Sequence, residues 1–462
     1  MSEKKLMIVS LDGHAAMPPE RWPQYLDERF HRYLPKLYKE NERFTRMQRA
    51  YFQKTHSADD LEVFDLENAV SNGGADGLFN LDVRLAEMDR EGIAAEFVHN
   101  GDPRIVTCFF GSSNQPYPLD VCQAGAMAYH RWLYDTFGLA KDRLLLIGVI
   151  GHSPWRSMDE LLAELDWIAD RGFPATSIPG FTTYPGQPVL SDPYWDPFWK
   201  RCEERNIALW MHAGHGESQA EIGTQLQRLY ATMEAENLPF EELTKRHIRK
   251  FNENKVFESI KPRRAMWQMM LGGVFDRFPG LRLVMNEVYA DWIPRTMELL
   301  DDEYEKRGAE IPAKLKPTEY WGRNLVGCLS FARRCEMEVR DQIGVATMAF
   351  GRDYPHPEGT WPNTKLWLRD VLSGVSEDEV RAILGENIVR ILKLDAGVIH
   401  DIAQKVGPTL AEIVGHPQDL PEPLLAHFAK RGDYLRPGEG EARVQEMRDM
   451  LGEDIWRVSA LV

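Results

Sequence analysis

The chain has 462 residues, 43% hydrophobic and 27% charged, the composition of a soluble globular protein with room for one large domain or two ordinary ones. Its net charge of −16 disfavours nucleic acid, which calls for a basic face, and no stretch approaches the roughly 20 apolar residues of a membrane helix. Cys108, Cys122, Cys202, Cys328 and Cys335 are scattered without a CxxC pair, and the N-terminus lacks a signal-peptide core, so a reduced cytoplasmic enzyme is expected rather than a disulfide scaffold or a cysteine-based zinc site.

Taken in chain order, the first apolar run covers residues 6–11 and ends in Asp12-Gly13-His14. Residues 15–80, rich in aromatics and charges, separate it from the next runs at 94–99 and 144–150. Ser157 and Glu160 then make a capping box, Leu161, Leu162, Leu165 and Ile168 share one helical face, and Gly172 supplies a stop. A fourth run at 175–178 is followed by Asp196-Pro197, a cap with proline at the first helical position, opening a helix that ends near Asn206. The fifth run, 207–212, closes in His212, and a second long, polar insertion spans 215–265. Runs at 281–287, 325–329 and 346–350 complete a set of eight, with another capping box at Ser376 and Glu379. Beyond residue 395 the chain carries turn signals (Pro421, Pro423, Pro437-Gly438) and short amphipathic pieces, read as a C-terminal extension over 396–462 that packs on the barrel or on a partner subunit.

Strands alternating with helices predict a parallel sheet, and eight of them predict closure as an α/β fold of the (β/α)8 TIM-barrel type. A doubly wound open sheet is the alternative, but no glycine-rich nucleotide fingerprint follows the first strand. In such a barrel the chemistry sits at the C-terminal ends of the strands. Asp12 and His14 lie two apart on an extended segment and point the same way. His212 ends the fifth run, with His215 close behind after Gly214; Glu287 ends the sixth; Asp353 follows the eighth. Trp210, Tyr289, Trp292 and Tyr354 lie near strand ends, where they line an aromatic pocket or pack beneath the rim.

At these residues the chain resembles the amidohydrolase-related family, the group that includes aminocarboxymuconate-semialdehyde decarboxylase-like enzymes. The resemblance is carried by Asp12-Gly13-His14-Ala15, by Leu85-Ala86-Glu87-Met88-Asp89-Arg90-Glu91-Gly92-Ile93, and by Phe275-Asp276-Arg277-Phe278-Pro279-Gly280-Leu281-Arg282. Gly351-Arg352-Asp353-Tyr354-Pro355-His356-Pro357-Glu358-Gly359 and Leu384-Gly385-Glu386-Asn387 complete it. It implies one divalent metal, zinc or else manganese, at the barrel mouth, with Asp12, His14, His212 and Asp353 at the family's ligand positions. The fourth strand ends Ser177-Ile178-Pro179-Gly180 without a lysine, so a single ion is expected rather than two bridged by a carbamylated lysine.

The expected activity is hydrolysis of a small amide, ester or related substrate by a metal-activated water, with Asp353 as ligand and general base. Glu287 and His215 are further catalytic candidates, and Arg352, Tyr289 and Trp210 are candidates for holding substrate. Asp12, Asp353 and Glu287 leave −1 beside a 2+ ion, which disfavours an anionic substrate unless Arg352 points inward. Non-oxidative decarboxylation of an aromatic or unsaturated acid is the alternative, and a non-catalytic binding barrel is a remote third. A homo-oligomer, a dimer, is expected, with no nucleic-acid or membrane partner.

Overall fold

A computed structural model describes residues 4–42, 45, 57–101, 105, 117–180, 182–183, 186–218, 260–356, 358–415, 419–430 and 441–459. Eight strands form the path of one parallel sheet, β1 (Ile8–Ser10), β2 (Ile93–Asn100), β3 (Leu144–Gly148), β4 (Ala175–Ser177), β5 (Ala208–Met211), β6 (Leu283–Met285), β7 (Leu325–Ser330) and β8 (Met348–Gly351), and a ninth, two-residue strand at His14–Ala15 pairs in parallel with β2. Each of the eight pairs in parallel with the next in sequence. Leu11 N donates to Phe350 O at 2.8 Å, joining the end of β1 to β8 and closing the barrel.

Burial on both faces explains the apolar bias of the strands, which Glu96 on β2 interrupts. Alternation along the strands sends one set of side chains inward and the other against the helices. Val9, Phe97, Ile147, Trp210, Val284 and Val326 pack together in the interior. Ile8, Val98, Leu209, Met211, Leu283 and Met285 belong instead to the larger cluster shared with the helices. Ser157 accepts from Glu160 N and opens the helix Met158–Asp170, and Gly172 stops it with φ +79. Asp196 is itself the first residue of the helix Asp196–Glu204, one place later than its expected role as cap, because a 3-10 turn at Pro193–Trp195 already leads in.

The described part of the 15–80 insertion buries Trp22, Leu26, Phe30, Leu34 and Phe64 against the outer core, and Tyr129 Oη donates to Ala15 O at 3.2 Å. Of the 215–265 insertion, residues 219–259 lie outside the described residues. The C-terminal extension packs on the barrel. Ile399 and Ala403 of the helix Ala396–Val406 join the interior cluster. Asp454 accepts from Arg264 Nε at 2.7 Å, from Trp267 Nε1 at 2.8 Å and from Gln268 Nε2 at 3.0 Å, which fastens the last helix to the helix Lys261–Leu271.

Candidate metal centre

The strand ends bring Asp12, His14, His212 and Asp353 together, with His14 and Asp353 339 residues apart in sequence. Asp12 is fully buried, and its Oδ1 lies 3.4 Å from His14 Nε2 and 3.4 Å from His212 Nε2. Burial pushes the Asp12 carboxyl up, but the two imidazoles outweigh it and hold the group well below the usual carboxylate range. His14 Nε2 lies 3.0 Å from Asp353 Oδ1. His212 lies two residues beyond Trp210 on the same inward-facing side of β5, and its Nδ1 sits 3.0 Å from Glu287 Oε2.

Two backbone features make these approaches possible. Asp353 (φ +52) and Glu287 (φ +55) are both non-glycine residues in the left-handed region, a conformation that costs about 1–3 kcal/mol and concentrates at functional sites. Gly13, between the two N-terminal candidates, leaves no room for a side chain: a Cβ there would stand 2.6 Å from Arg84 Nη2 and 2.6 Å from Glu96 Cδ.

Those two groups belong to a buried ion network beneath the centre. Glu96 on β2 accepts from Arg84 Nε at 2.7 Å and from Arg352 Nε at 2.5 Å, and Arg84 Nη1 donates to His14 O at 2.6 Å. Arg352 Nη1 also stands 3.5 Å from Glu91 Oε2. Arg352 is thus turned into the protein and committed to two carboxylates; it does not join the strand-end cluster. Trp210 is likewise fully buried, stacked on Phe97 at 4.8 Å inside the barrel. Tyr289, 8% exposed, presents its ring to the Arg333 guanidinium at 3.6 Å. Trp292 and Tyr354 are buried as well, and each lies beneath a guanidinium, Arg263 in the first case and Arg84 with Arg352 in the second.

Glu287, buried near Asp353 and Asp12, has its carboxyl pushed up to about 7 despite the opposing pull of His212. His215 is brought near by the turn in which its N–H donates to His212 O at 3.1 Å; burial lowers its imidazole to about 3, so it stays neutral.

Further residues at the mouth were not assigned from the sequence. His356 stacks on His14 with ring centres 3.9 Å apart and places Nδ1 3.1 Å from Asp353 Oδ1. Burial lowers the His356 imidazole, but Asp353 and Glu358 more than offset this and raise it to about 10. His99, at the end of β2, stacks on His212 at 4.6 Å and lies 5.3 Å from His152. Burial and the neighbouring imidazoles push His99 well below its ordinary value, and neither of its ring nitrogens has a hydrogen-bond partner among the described residues. The strand-end rule that selects His212 would also have selected His99, the last residue of the second apolar run.

A parallel barrel with Asp and His side chains converging at its C-terminal mouth defines a class of metal-dependent enzymes. The family model described as amidohydrolase matches residues 111–394, more than half of the chain, and the protein belongs to that family. Among solved structures, the chain is similar to an amidohydrolase from Mycobacterium avium subsp. paratuberculosis K-10, at 18% identity and a TM-score of 0.57 over 85% of this chain and 100% of that one. It is also similar to 2,6-dihydroxybenzoate decarboxylase from Rhizobium (18% identity, TM-score 0.52, 85% and 100% covered). A third is a dihydroxybenzoic acid decarboxylase from Polaromonas sp. JS666 with bound manganese and 2-nitroresorcinol (15% identity, TM-score 0.51, 86% and 99% covered). Identities this low establish the shared fold. No curated protein matches the sequence.

Proposed function

We propose that the chain is a metal-dependent hydrolase acting on a small organic amide, ester or related substrate. The fit to a divalent ion rests on donors left open in a buried space. Both oxygens of Asp12, His212 Nε2 and Asp353 Oδ2 are buried without a hydrogen-bond partner among the described residues, and His14 turns its Nε2 toward Asp12 and Asp353. Buried polar atoms are rarely left so, because the missing partner costs roughly 1–3 kcal/mol each. Imidazole and carboxylate donors suit zinc or manganese, and Asp12, His14, His212 and Asp353 would hold the ion. Once bound, a divalent cation polarises a substrate oxygen and lowers the pKa of a water to near 7.

The observation that carries hydrolysis is Asp353. Its Oδ1 lies beside His14 and His356, while Oδ2 is buried without a hydrogen-bond partner among the described residues. That oxygen is placed to accept a proton from the attacking water, with His14 and His356 fixing the carboxylate plane. Glu287, whose carboxyl burial pushes up, would carry a proton to the leaving group. With Arg352 engaged elsewhere and four carboxylates at the mouth, the charge balance favours a neutral substrate. Tyr289 remains the candidate for a substrate-facing wall.

Decarboxylation is the second reading, favoured by the same Glu287, since a carboxyl with a value near 7 can protonate a substrate carbon as carbon dioxide leaves. No helix among the described residues is long and apolar enough to cross a membrane, and we read the scattered cysteines as those of a cytoplasmic enzyme. A homodimer is the assembly we favour, with Trp456, 73% exposed on the last helix, as the residue most in need of cover. Zinc- or manganese-loaded protein should be assayed on neutral amides and esters and on aromatic acids in labelled water. Label in the product supports hydrolysis. Release of carbon dioxide from an aromatic acid without label in the organic product overturns it.

A further inference from the structure

Three imidazoles, those of His14, His99 and His212, place ring nitrogens within 4.8 Å of one another at the barrel mouth. Their ring planes tell them apart. An imidazole binds an ion through a lone pair in the plane of its ring, at about 2.0–2.1 Å for zinc. The planes of His14 and His212 cross at 86°, so their lone pairs can meet at one point. His99 instead stacks on His212 within 6° of parallel, with ring centres 4.6 Å apart, and one ion cannot lie in both planes. His99 therefore stands beside the ligand set without belonging to it.

We propose that His99 is a substrate-contacting residue, whose ring N–H donates a hydrogen bond to an oxygen of the molecule held at the metal centre. The residue is 1% exposed, and neither ring nitrogen has a hydrogen-bond partner among the described residues. Leaving such groups unpaired in a buried place is costly, and a ligand that brings an acceptor removes the cost. The ring is also held in place before any ligand arrives. His99 pairs with His14 across the parallel strands, its backbone N–H donates to Gly13 O at 2.7 Å, and its ring lies between the face of His212 and the His14 ring, 5.9 Å away and nearly perpendicular.

The surroundings set the class of ligand. Asp12, Glu287, Asp353 and Glu358 present carboxyl oxygens to the mouth, and the Arg352 guanidinium is committed to Glu96 and Glu91. Such a space is rich in acceptors, so an oxygen that enters it needs a donor, which an imidazole N–H supplies. An uncharged molecule with a carbonyl oxygen meets this requirement without adding a further negative charge. A fixed donor of this kind strengthens its hold as negative charge develops on that oxygen during reaction.

This inference rests on the metal-centre reading above, and the measurements separate the two. Full-length protein stripped with chelator is loaded with cobalt, and acetohydroxamate, a small uncharged carbonyl compound, is titrated in while the visible spectrum of the cobalt reports its binding. His99→Phe keeps a ring against His212 and loses the N–H, whereas His99→Gln keeps a donor. Both should retain as much cobalt as wild type by elemental analysis after desalting. Acetohydroxamate should bind about three- to tenfold more weakly to His99→Phe, the worth of one hydrogen bond, and His99→Gln should recover part of the loss. Cobalt lost from His99→Phe that circular dichroism shows to be folded makes His99 a ligand and overturns the proposal. Probe affinity within twofold of wild type in His99→Phe, or equal weakening in both variants, overturns it as well. Should neither variant fold, zinc-loaded wild type with nitrogen-15 histidine decides: the His99 ring N–H resonance should shift when acetohydroxamate is added, and a resonance that stays in place overturns the contact. A wild type that takes up no cobalt removes the metal centre itself, and the role of His99 falls with it.

Discussion

Asp353→Asn tests the proton-transfer role where the geometry is most explicit. The carboxylate uses Oδ1 toward His14 Nε2 at 3.0 Å and His356 Nδ1 at 3.1 Å, and leaves Oδ2 open. An asparagine can keep its amide oxygen at the first position and place its NH2 at the second. Two charge-assisted hydrogen bonds of about 1.5–3 kcal/mol each then become neutral ones of about 0.5–1.5 kcal/mol, a loss of roughly 2–3 kcal/mol in total. The variant should therefore fold, with a lowered melting temperature. Turnover should fall far more, because the amide cannot accept a proton. Losing general-base help costs about 10²–10⁴ in rate, or roughly 3–5.5 kcal/mol in the barrier. His356, raised to about 10 chiefly by Asp353, should titrate lower in the metal-free variant, which an imidazole NMR titration reads directly. Turnover within tenfold of wild type, with metal retained and His356 shifted, would refute the reasoning and move the base to Glu287 or His215.

His212→Ala should lose metal by elemental analysis and lose activity with it; full occupancy in that protein would remove His212 from the ligand set. Glu96→Gln leaves Arg84 and Arg352 without their shared carboxylate and should destabilise the fold by about 3–5 kcal/mol in denaturant titrations. Burial raises the Glu96 carboxyl, but the two guanidiniums hold it below its ordinary 4.5. Its stabilising contribution is thus complete above that value and is lost as the pH falls through the lower folded value, so wild type should weaken in acid more steeply than Glu96→Gln. Trp210→Phe, altering a ring packed on Phe97 inside the barrel, should leave the Michaelis constant within about twofold while lowering stability by about 1–3 kcal/mol. A large change in that constant would return Trp210 to the substrate pocket.

The eight strands were legible because a parallel strand buried on both faces is predominantly apolar, and residues 207–211 or 283–285 satisfy that without any knowledge of their neighbours. The same rule placed Asp12, His14, His212, Glu287 and Asp353 at strand ends. Side-chain direction was less legible. Arg352 adjoins Asp353 in sequence, but its guanidinium is claimed by Glu96, 256 residues away, and no local pattern encodes such a pairing. Trp210 falls on the inward parity of β5, yet how far down the barrel a side chain sits depends on register with β4 and β6. His356 and Glu358 follow a turn that folds the chain back after Asp353, where strand periodicity has ended, so only the three-dimensional path brings them to the mouth.

The seam between β1 and β8 has a consequence for biogenesis. Leu11 N reaches Phe350 O, and Arg352 reaches Glu96, so the first and last strands are joined by contacts of very long sequence separation. Such contacts form late, because the intervening chain must be ordered before they are rewarded. During synthesis Asp12 and His14 emerge from the ribosome hundreds of residues ahead of Asp353, and at about 5–20 residues per second that interval lasts tens of seconds. The nascent chain thus carries an incomplete donor set through most of its elongation. On the proposed ligand set, metal capture would be the closing event of maturation, and a chain ending before residue 348 would lack Asp353.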